Sequence, residues 1–338
     1  MTHKITLIPG DGIGPEVASA ARRAVDATGV RIDWEQVELN ASVIQKTGQS
    51  LPEHVVESLQ RTRVGLKGPV TTPIGEGYTS VNVALRKRLE LFANVRPVRS
   101  LAGVATRFGD AKIDMVIFRE NTEDLYSGLE NEVVPGVVTG IKVITRAASS
   151  RIAEYTFAFA ESAGRKKVTA IHKANIMKLA DGLFLRCCRE TAARHPAIEY
   201  QEVIVDNAAM QLVIRPETFD ILLMPNLYGD IISDLAAGLV GGLGIVPGAN
   251  MGEHHAVFEA VHGSAPDIAG KGLANPTAMM MSAVLMLIHL QEHDAARRLQ
   301  SAIEHTYAAH RHLTHDVGGT ATTAEFTDAV IEAIARVG

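Results

Sequence analysis

Cysteine is almost missing from this chain: there are two in 338 residues, Cys187 and Cys188. They are adjacent within an apolar helical stretch, where a mutual disulfide is geometrically poor and a metal site lacks companions, so both read as reduced core residues. Also missing is any uncharged apolar run of about 18 residues, which excludes a spanning helix. There is no excess of positive charge. The 33 Lys and Arg are interspersed with 38 Asp and Glu, for a formal net charge of -5. This balance excludes a nucleic-acid footprint and a polybasic membrane patch, leaving small molecules and other subunits as expected partners. Repeats, low-complexity tracts and linkers are absent. Met1 to Pro9 runs straight into a strand, with neither an apolar signal region nor an Arg- and Ser-rich amphipathic presequence. The expectation from these absences is a soluble cytoplasmic protein.

The length allows two domains or one large α/β body. Short β-favouring runs alternate with helical periodicity along the chain, an α/β pattern. Strands are expected at Lys4 to Ile8, Arg31 to Leu39, Arg63 to Lys67, Asn94 to Arg99, Asp114 to Phe118, Lys167 to Ile171, Glu199 to Val205, Ile221 to Met224 and Ala256 to Glu259. The first strand turns through Gly10-Asp11-Gly12-Ile13-Gly14-Pro15 into a helix. That turn is not a dinucleotide fingerprint: its spacing is G-x-G-x-G-P, and the acid expected about 20 residues later has no clear counterpart. A Rossmann domain is therefore disfavoured. The valine-heavy stretch from Val133 to Ile144 has no helical partner and reads as an arm that pairs with another chain.

The stretch Asn226-Leu227-Tyr228-Gly229-Asp230-Ile231-Ile232-Ser233-Asp234 follows an apolar strand and a Pro225 break, so it opens a helix. Asp230 and Asp234 are four apart, which stacks two carboxylates on one helical face. They repel unless a cation lies between them, and a hard divalent ion takes such oxygens; a solvated acidic face fits the spacing equally well. Arg86, Arg96 and Arg119 stand at or near element ends, where a guanidinium fork can grip a carboxylate, although each alone is compatible with an ordinary surface charge. Lys173 and Asp206 both fall where a strand meets a helix, the place open α/β sheets put ligands. A solvated Lys and an N-capping Asp are the plain alternatives. The loop from Gly68 to Asn82 is too long to be a mere connection.

Taken together, Gly10 to Pro15, Gly68 to Asn82, Arg86 to Arg96, Arg119 to Tyr126, His172 to Asn175, Val205 to Asn207, Asn226 to Asp234 and His262 to Asn275 resemble the β-decarboxylating dehydrogenases acting on isocitrate, isopropylmalate, homoisocitrate and tartrate. The resemblance covers nearly the whole chain. It implies a non-Rossmann α/β fold of two lobes: a large cofactor-binding domain, 1–99 with 256–338, and a small substrate and dimerisation domain, 100–255. It further implies a homodimer with an exchanged arm and active sites shared between subunits.

Carried over by position, Arg86, Arg96 and Arg119 bind substrate carboxylates, and Tyr126 and Lys173 form the acid/base pair. Asp206, Asp230 and Asp234 bind Mg²⁺ or Mn²⁺, with Lys173 and Asp206 arriving from the neighbouring subunit. Isopropylmalate-using members of the family have apolar residues where this chain has Ser80-Val81-Asn82. Ser-x-Asn suits the extra γ-carboxylate of isocitrate, so the resemblance implies oxidative decarboxylation of that tricarboxylic acid to 2-oxoglutarate. Homoisocitrate and isopropylmalate remain alternatives, as does a non-catalytic regulatory subunit. Thr71, Thr72, Glu259, His262, Gly263, Ala265, Asp267, Ile268 and Asn275 correspond to cofactor-binding positions. Asp267-Ile268 stands where NADP-using members carry basic or hydroxyl side chains, and a carboxylate suits the ribose diol of NAD.

Overall fold

A computed structural model describes residues 2–71, 80–109 and 111–337. Thr72 and most of the long loop before Asn82 lie outside the described residues. The strands are β1 His3–Ile8, β2 Ile32–Gln36, β3 Val64–Lys67, β4 Ala93–Arg99, β5 Asp114–Glu120, β6 Glu130–Val134, β7 Val137–Gly140, β8 Lys167–His172, β9 Glu199–Ile204, β10 Ile221–Met224, β11 Pro247–Met251 and β12 Ala256–Ala260. The helices are α1 Gly14–Ala27, α2 Ala41–Thr47, α3 Glu53–Thr62, α4 Val81–Arg88, α5 Arg146–Ser162, α6 Ala180–Ala192, α7 Val205–Ile214, α8 Asn226–Val240, α9 Thr277–His289, α10 His293–Ala308 and α11 Thr323–Val337.

The chain forms two compact units. The first comprises Met1–Leu91, Ser100–Gly109 and Ala237–Gly338, and the second Phe92–Arg99 with Asp110–Ala236. The structure thus groups β4 with the second unit and 237–255 with the first, where the sequence reading drew its lines at 99/100 and 255/256. In the first unit β2, β1, β3 and β12 pair in parallel, and β12 pairs antiparallel with β11. Helix α1 has Pro15 in its first turn, where its missing N–H costs nothing, and buries the stripe Val17, Ala18, Ala21, Ala24 and Val25. Three of the four methionines of α9 are core: Met279, Met280 and Met286 are wholly buried, while Met281 is half-buried.

In the second unit β4 and β5 pair antiparallel, and β5, β10, β8 and β9 follow in parallel. The four residues of β10, Ile-Leu-Leu-Met, are all buried, as expected of a strand with a parallel neighbour on each side. Cys187 and Cys188 are buried and free, and burial pushes the Cys188 thiol well up. β6 and β7 form a separate two-stranded ribbon, fully exposed on both strands and joined at Pro135-Gly136, with Gly136 at φ 82°.

The glycine turn after β1 is filled by protein. A Cβ on Gly10 would lie 2.1 Å from the Pro69 carbonyl oxygen, and one on Gly12 would lie 1.9 Å from that of Ser264. The Asp11 carboxylate accepts from the backbone N–H groups of Ala41 and Thr71. The turn therefore clamps three loops together where a Rossmann turn would face a pyrophosphate.

Candidate active site

β5 and β10 are parallel neighbours with Arg119 beside Met224, so Arg119 emerges next to the break from which α8 starts. Its side chain is 1 % exposed. Nε donates to Asn226 Oδ1 at 2.8 Å, one guanidinium nitrogen pairs with Asp230, and the guanidinium carbon lies 5.0 Å from the centre of the Tyr126 ring. Gly229 makes room for it: a Cβ there would fall 2.4 Å from Arg119 Cγ. On β4, Arg96 Nε donates to Asn94 Oδ1 at 2.7 Å, and another nitrogen donates to Ser233 Oγ at 2.5 Å and Asp234 Oδ1 at 3.3 Å. The Tyr126 hydroxyl donates to Asp230 Oδ2 at 2.6 Å. Burial raises the Tyr126 pKa, and the bond to Asp230 adds to the rise by holding the phenol neutral.

Five of the residues read from the sequence, Arg96, Arg119, Tyr126, Asp230 and Asp234, thus converge on the N-terminal part of α8. Asp230 and Asp234 keep side-chain exposures of 41 % and 56 %. Burial raises the Asp234 pKa; Arg96 and Arg119 oppose this, while Asp230 repulsion adds to it. Two partly exposed carboxylates that repel each other fit as oxygen ligands of a hard divalent cation. Among the described residues no group of three or more His, Cys, Asp or Glu side chains is placed to hold a metal, so Asp206 does not complete that pair within one chain.

Asp206 and Lys173 instead find each other. Lys173 Nζ donates to Asp206 Oδ1 at 2.6 Å, a bond that lowers the Asp206 pKa. Exposed apolar side chains occur on the same segments: Ile176, Met177 and Leu179 after Lys173, and Met210, Val213 and Ile214 after Asp206.

The remaining residues belong to the first unit. Arg86, buried on α4, lies 3.4 Å from Glu259 Oε1. Glu259 also receives Lys67 Nζ at 2.5 Å and Asn250 Nδ2 at 2.7 Å. Burial alone would raise the Glu259 pKa, but Lys67 and Arg86 hold it down to about 2. Ser80 precedes α4 without capping it by its side chain, and the buried Asn82 Oδ1 has no hydrogen-bond partner among the described residues. Thr71 Oγ1 donates to Ser264 Oγ at 2.7 Å. Ala265 sits at φ 39°, a turn conformation few L residues take, and Ile268 N–H closes that turn onto its carbonyl. Gly263 and Asp267 are exposed.

His262 Nδ1 lies 3.0 Å from the Gly263 carbonyl oxygen, and its buried Nε2 has no partner among the described residues. Burial lowers its pKa, which favours a neutral ring donating from Nδ1 and leaving Nε2 as an acceptor. Such an orphaned acceptor fits the amino group of an adenine. The Asn275 side chain is already engaged: Nδ2 donates to the Tyr307 hydroxyl and Asp316, and Oδ1 accepts Thr277 N–H.

Sequence reasoning did not single out Lys67, Asn94, Asn226, Gly229 or Ser233. Lys67 stood outside the stretches that carry the resemblance and the other four inside them; Asn94 meets Arg96 two residues on, whereas Lys67, Asn226, Gly229 and Ser233 act through partners distant in sequence.

Residues 4–330 match the model of the isocitrate/isopropylmalate dehydrogenase family. The chain is 55 % identical over 328 residues to catalytic subunit 5 of the mitochondrial NAD isocitrate dehydrogenase of Arabidopsis thaliana, covering 97 % of this chain and 87 % of that one. It is 56 % identical over 306 residues to chloroplastic 3-isopropylmalate dehydrogenase of Solanum tuberosum, covering 90 % and 85 %. It is 50 % identical over 333 residues to a regulatory subunit of the mitochondrial NAD isocitrate dehydrogenase of Dictyostelium discoideum, covering 98 % and 92 %. The crystal structure of isocitrate dehydrogenase from Methylococcus capsulatus superposes with a TM-score of 0.94 at 48 % identity, covering 98 % of this chain and 99 % of that one. The cytoplasmic expectation is corrected by these relatives, whose names place the isocitrate dehydrogenase subunits in mitochondria. It rested on the absence of a presequence and of a long apolar run, and neither absence carries information about compartment. Matched over nearly its whole length, the chain belongs to the isocitrate/isopropylmalate dehydrogenase family.

Proposed function

We propose that this chain is a catalytic NAD-dependent isocitrate dehydrogenase, which oxidises isocitrate and releases CO₂ to give 2-oxoglutarate. The observation that carries the reading is the convergence of Arg96, Arg119, Tyr126, Asp230 and Asp234 on one end of α8. A regulatory homologue has no need to keep that set intact.

When bound, NAD accepts the hydride, and Mg²⁺ or Mn²⁺ held by Asp230 and Asp234 acidifies the substrate hydroxyl and stabilises negative charge as the carboxylate leaves. Arg86, Arg96 and Arg119 bind the substrate carboxylates through guanidinium forks and orient the reacting carbon. Ser80 and Asn82 receive the γ-carboxylate; the unpartnered Asn82 Oδ1 is consistent with an amide whose polar contacts await a ligand. Lys173 takes the hydroxyl proton, and Tyr126, kept protonated by burial and Asp230, returns a proton to the product carbon. The buried acceptor Nε2 of His262 receives the adenine amino group, and Asp267 accepts from the ribose hydroxyls.

The working assembly is a homodimer with shared sites. Three features support it. The β6–β7 ribbon exposes Val133, Val134, Val137 and Val138, and an isolated two-stranded ribbon is marginal in water. Lys173 and Asp206 lie on segments rich in exposed apolar side chains. Finally, among the described residues no third carboxylate is placed to share a metal with Asp230 and Asp234, a position that Asp206 of a second copy would fill.

The test is turnover by the purified chain with Mg²⁺ or Mn²⁺, NAD or NADP, and isocitrate, homoisocitrate, isopropylmalate and tartrate in parallel. Isocitrate with NAD is expected to give the highest kcat/KM, and EDTA to abolish it. Preference for homoisocitrate or isopropylmalate would reassign Ser80 and Asn82, and no turnover by the chain alone would make it a regulatory subunit.

A further inference from the structure

Behind Lys173 lies a buried charged cluster with no part in the chemistry above. Asp181, in the first turn of α6, is fully inaccessible, and Asp124 is 1 % exposed. Between them Lys142 Nζ donates to Asp181 Oδ1 at 2.6 Å and lies 3.6 Å from Asp124 Oδ1. It also donates to the Tyr228 hydroxyl at 3.3 Å and sits 4.4 Å from the centre of that ring.

The second oxygens of the two carboxylates show what the cluster holds. Asp181 Oδ2 accepts the backbone N–H of Lys173 at 2.6 Å. Asp124 Oδ2 accepts the backbone N–H of Leu227, in the first turn of α8, at 2.9 Å. Asp124 does so from φ 72° and ψ -148°, a backbone conformation that persists in an L residue only where its surroundings over-determine it. Next to Leu227, Asn226 holds Arg119 Nε and donates to the Glu123 carbonyl. One ammonium group therefore ties the Lys173 loop to the turn that presents Asp230.

We propose that Lys142, bridging Asp181 and Asp124, is a positioning residue that seats the Lys173 loop and the N-terminal turn of α8 with a single buried charge. A cation between two inaccessible carboxylates tolerates only one arrangement of its partners, because any displacement leaves a charge buried and unpaired. The inference rests on the dehydrogenase reading and deepens it. In a dimer with shared sites, Lys173 and Asp230 of one chain serve different sites, so Lys142 links the geometry of the two.

The test uses Lys142→Met with Asp181→Asn, a charge-matched pair in which the amide carbonyl that replaces the carboxylate still accepts the Lys173 N–H. In the uniform dimer, Mn²⁺ titration followed by electron paramagnetic resonance is expected to show about tenfold weaker binding, and kcat to fall about 10²-fold. Wild-type Mn²⁺ affinity and kcat, whatever the change in Tm, would overturn the proposal. Asp181→Asn alone, with the ammonium retained, should give a smaller loss of both and serves where the double variant does not fold. Mixed dimers of Lys173→Met and Arg119→Ala chains then separate the two arms in their one intact site. The Lys142 and Asp181 changes placed on the Lys173→Met chain should weaken Mn²⁺ at that site. Placed on the Arg119→Ala chain they should lower kcat with Mn²⁺ affinity and isocitrate KM unchanged. Inactive mixed dimers without those changes would refute shared sites, while the uniform-dimer titration would still decide the role of Lys142.

Discussion

Gly229 is the residue whose smallness the Arg119 side chain depends on. Three Arg119 side-chain carbons lie within 3.0 Å of where a Gly229 Cβ would be. Arg119 cannot retreat, being buried and held by Asn226 and Asp230. Alanine is the better helix former by about 1 kcal/mol. Any loss in Gly229→Ala therefore comes from the clash, expected at about 1–3 kcal/mol in denaturant unfolding. If Arg119 grips a substrate carboxylate, its displacement should also lower kcat/KM for isocitrate about 10²-fold, since misplacement by about 1 Å has that effect on an oriented reaction. A folded Gly229→Ala enzyme with native kinetics would remove Arg119 from the substrate site. The cofactor selector is a second single-residue question. Asp267 is exposed, so its carboxylate is available to a ribose diol and would repel a 2′-phosphate. NAD should be preferred over NADP by at least about 10²-fold in kcat/KM, or about 2.7 kcal/mol, and Asp267→Lys with Ile268→Tyr should shift the preference toward NADP. Equal use of both cofactors by the unaltered enzyme would show that selection lies elsewhere.

Four elements of the first unit meet at one carboxylate. Glu259 on β12 stands opposite Lys67 in the parallel register with β3, and also receives Asn250 from β11 and Arg86 from α4. Its folded pKa of about 2 is below the ordinary 4.5, so the ionised form is the one folding favours. The stability this contributes is fully present above about pH 4.5 and is lost as pH falls toward 2. Glu259→Gln keeps the shape and leaves a buried ammonium without its counter-charge, at a cost of about 3–5 kcal/mol near neutral pH. Chemical denaturation at several pH values should show that cost shrinking below about pH 4; a gap independent of pH would mean that the Glu259 charge is not what holds the quartet. Elements with a regular pattern were legible in the sequence. The buried run of β10, the apolar stripe of α1 and the strand ends at Lys173 and Asp206 all stand where periodicity put them. β11 was not legible, because Pro247 and Gly248 argue against a strand and only pairing with β12 makes one. The seven-residue α2 was missed for its brevity, and α6 starts only at Ala180 because the Lys173 turn is fixed by Asp181, not by local propensity. At the site, Asp230 and Asp234 were marked by spacing, whereas Asn226, Ser233 and Lys142 meet Arg119, Arg96 and Asp181, all far away in sequence.

For the whole molecule, the question is where each site finds its complement of side chains. Arg96, Arg119, Tyr126, Asp230 and Asp234 converge within one chain, whereas Lys173 and Asp206 pair with each other on segments rich in exposed apolar side chains. A single chain that contained the whole site would bring Asp206 to Asp230 and Asp234, and the described residues hold no such trio. The proposed C2 dimer would resolve this, because an isologous interface gives each copy what it lends to the other. Lys173→Met and Arg119→Ala should then each be inactive as uniform dimers, one lacking the base and the other a carboxylate receptor. Unfolded together in equal amounts and refolded, they should assort into about half mixed dimers, each with one site that joins an intact Arg119 to an intact Lys173. The expected recovery is roughly a quarter of wild-type activity, with KM for isocitrate unchanged because every working site is chemically complete. A site contained within one chain would give no recovery in dimers shown by mass spectrometry to be mixed, and that outcome would return Lys173 and Asp206 to the same subunit as Asp230.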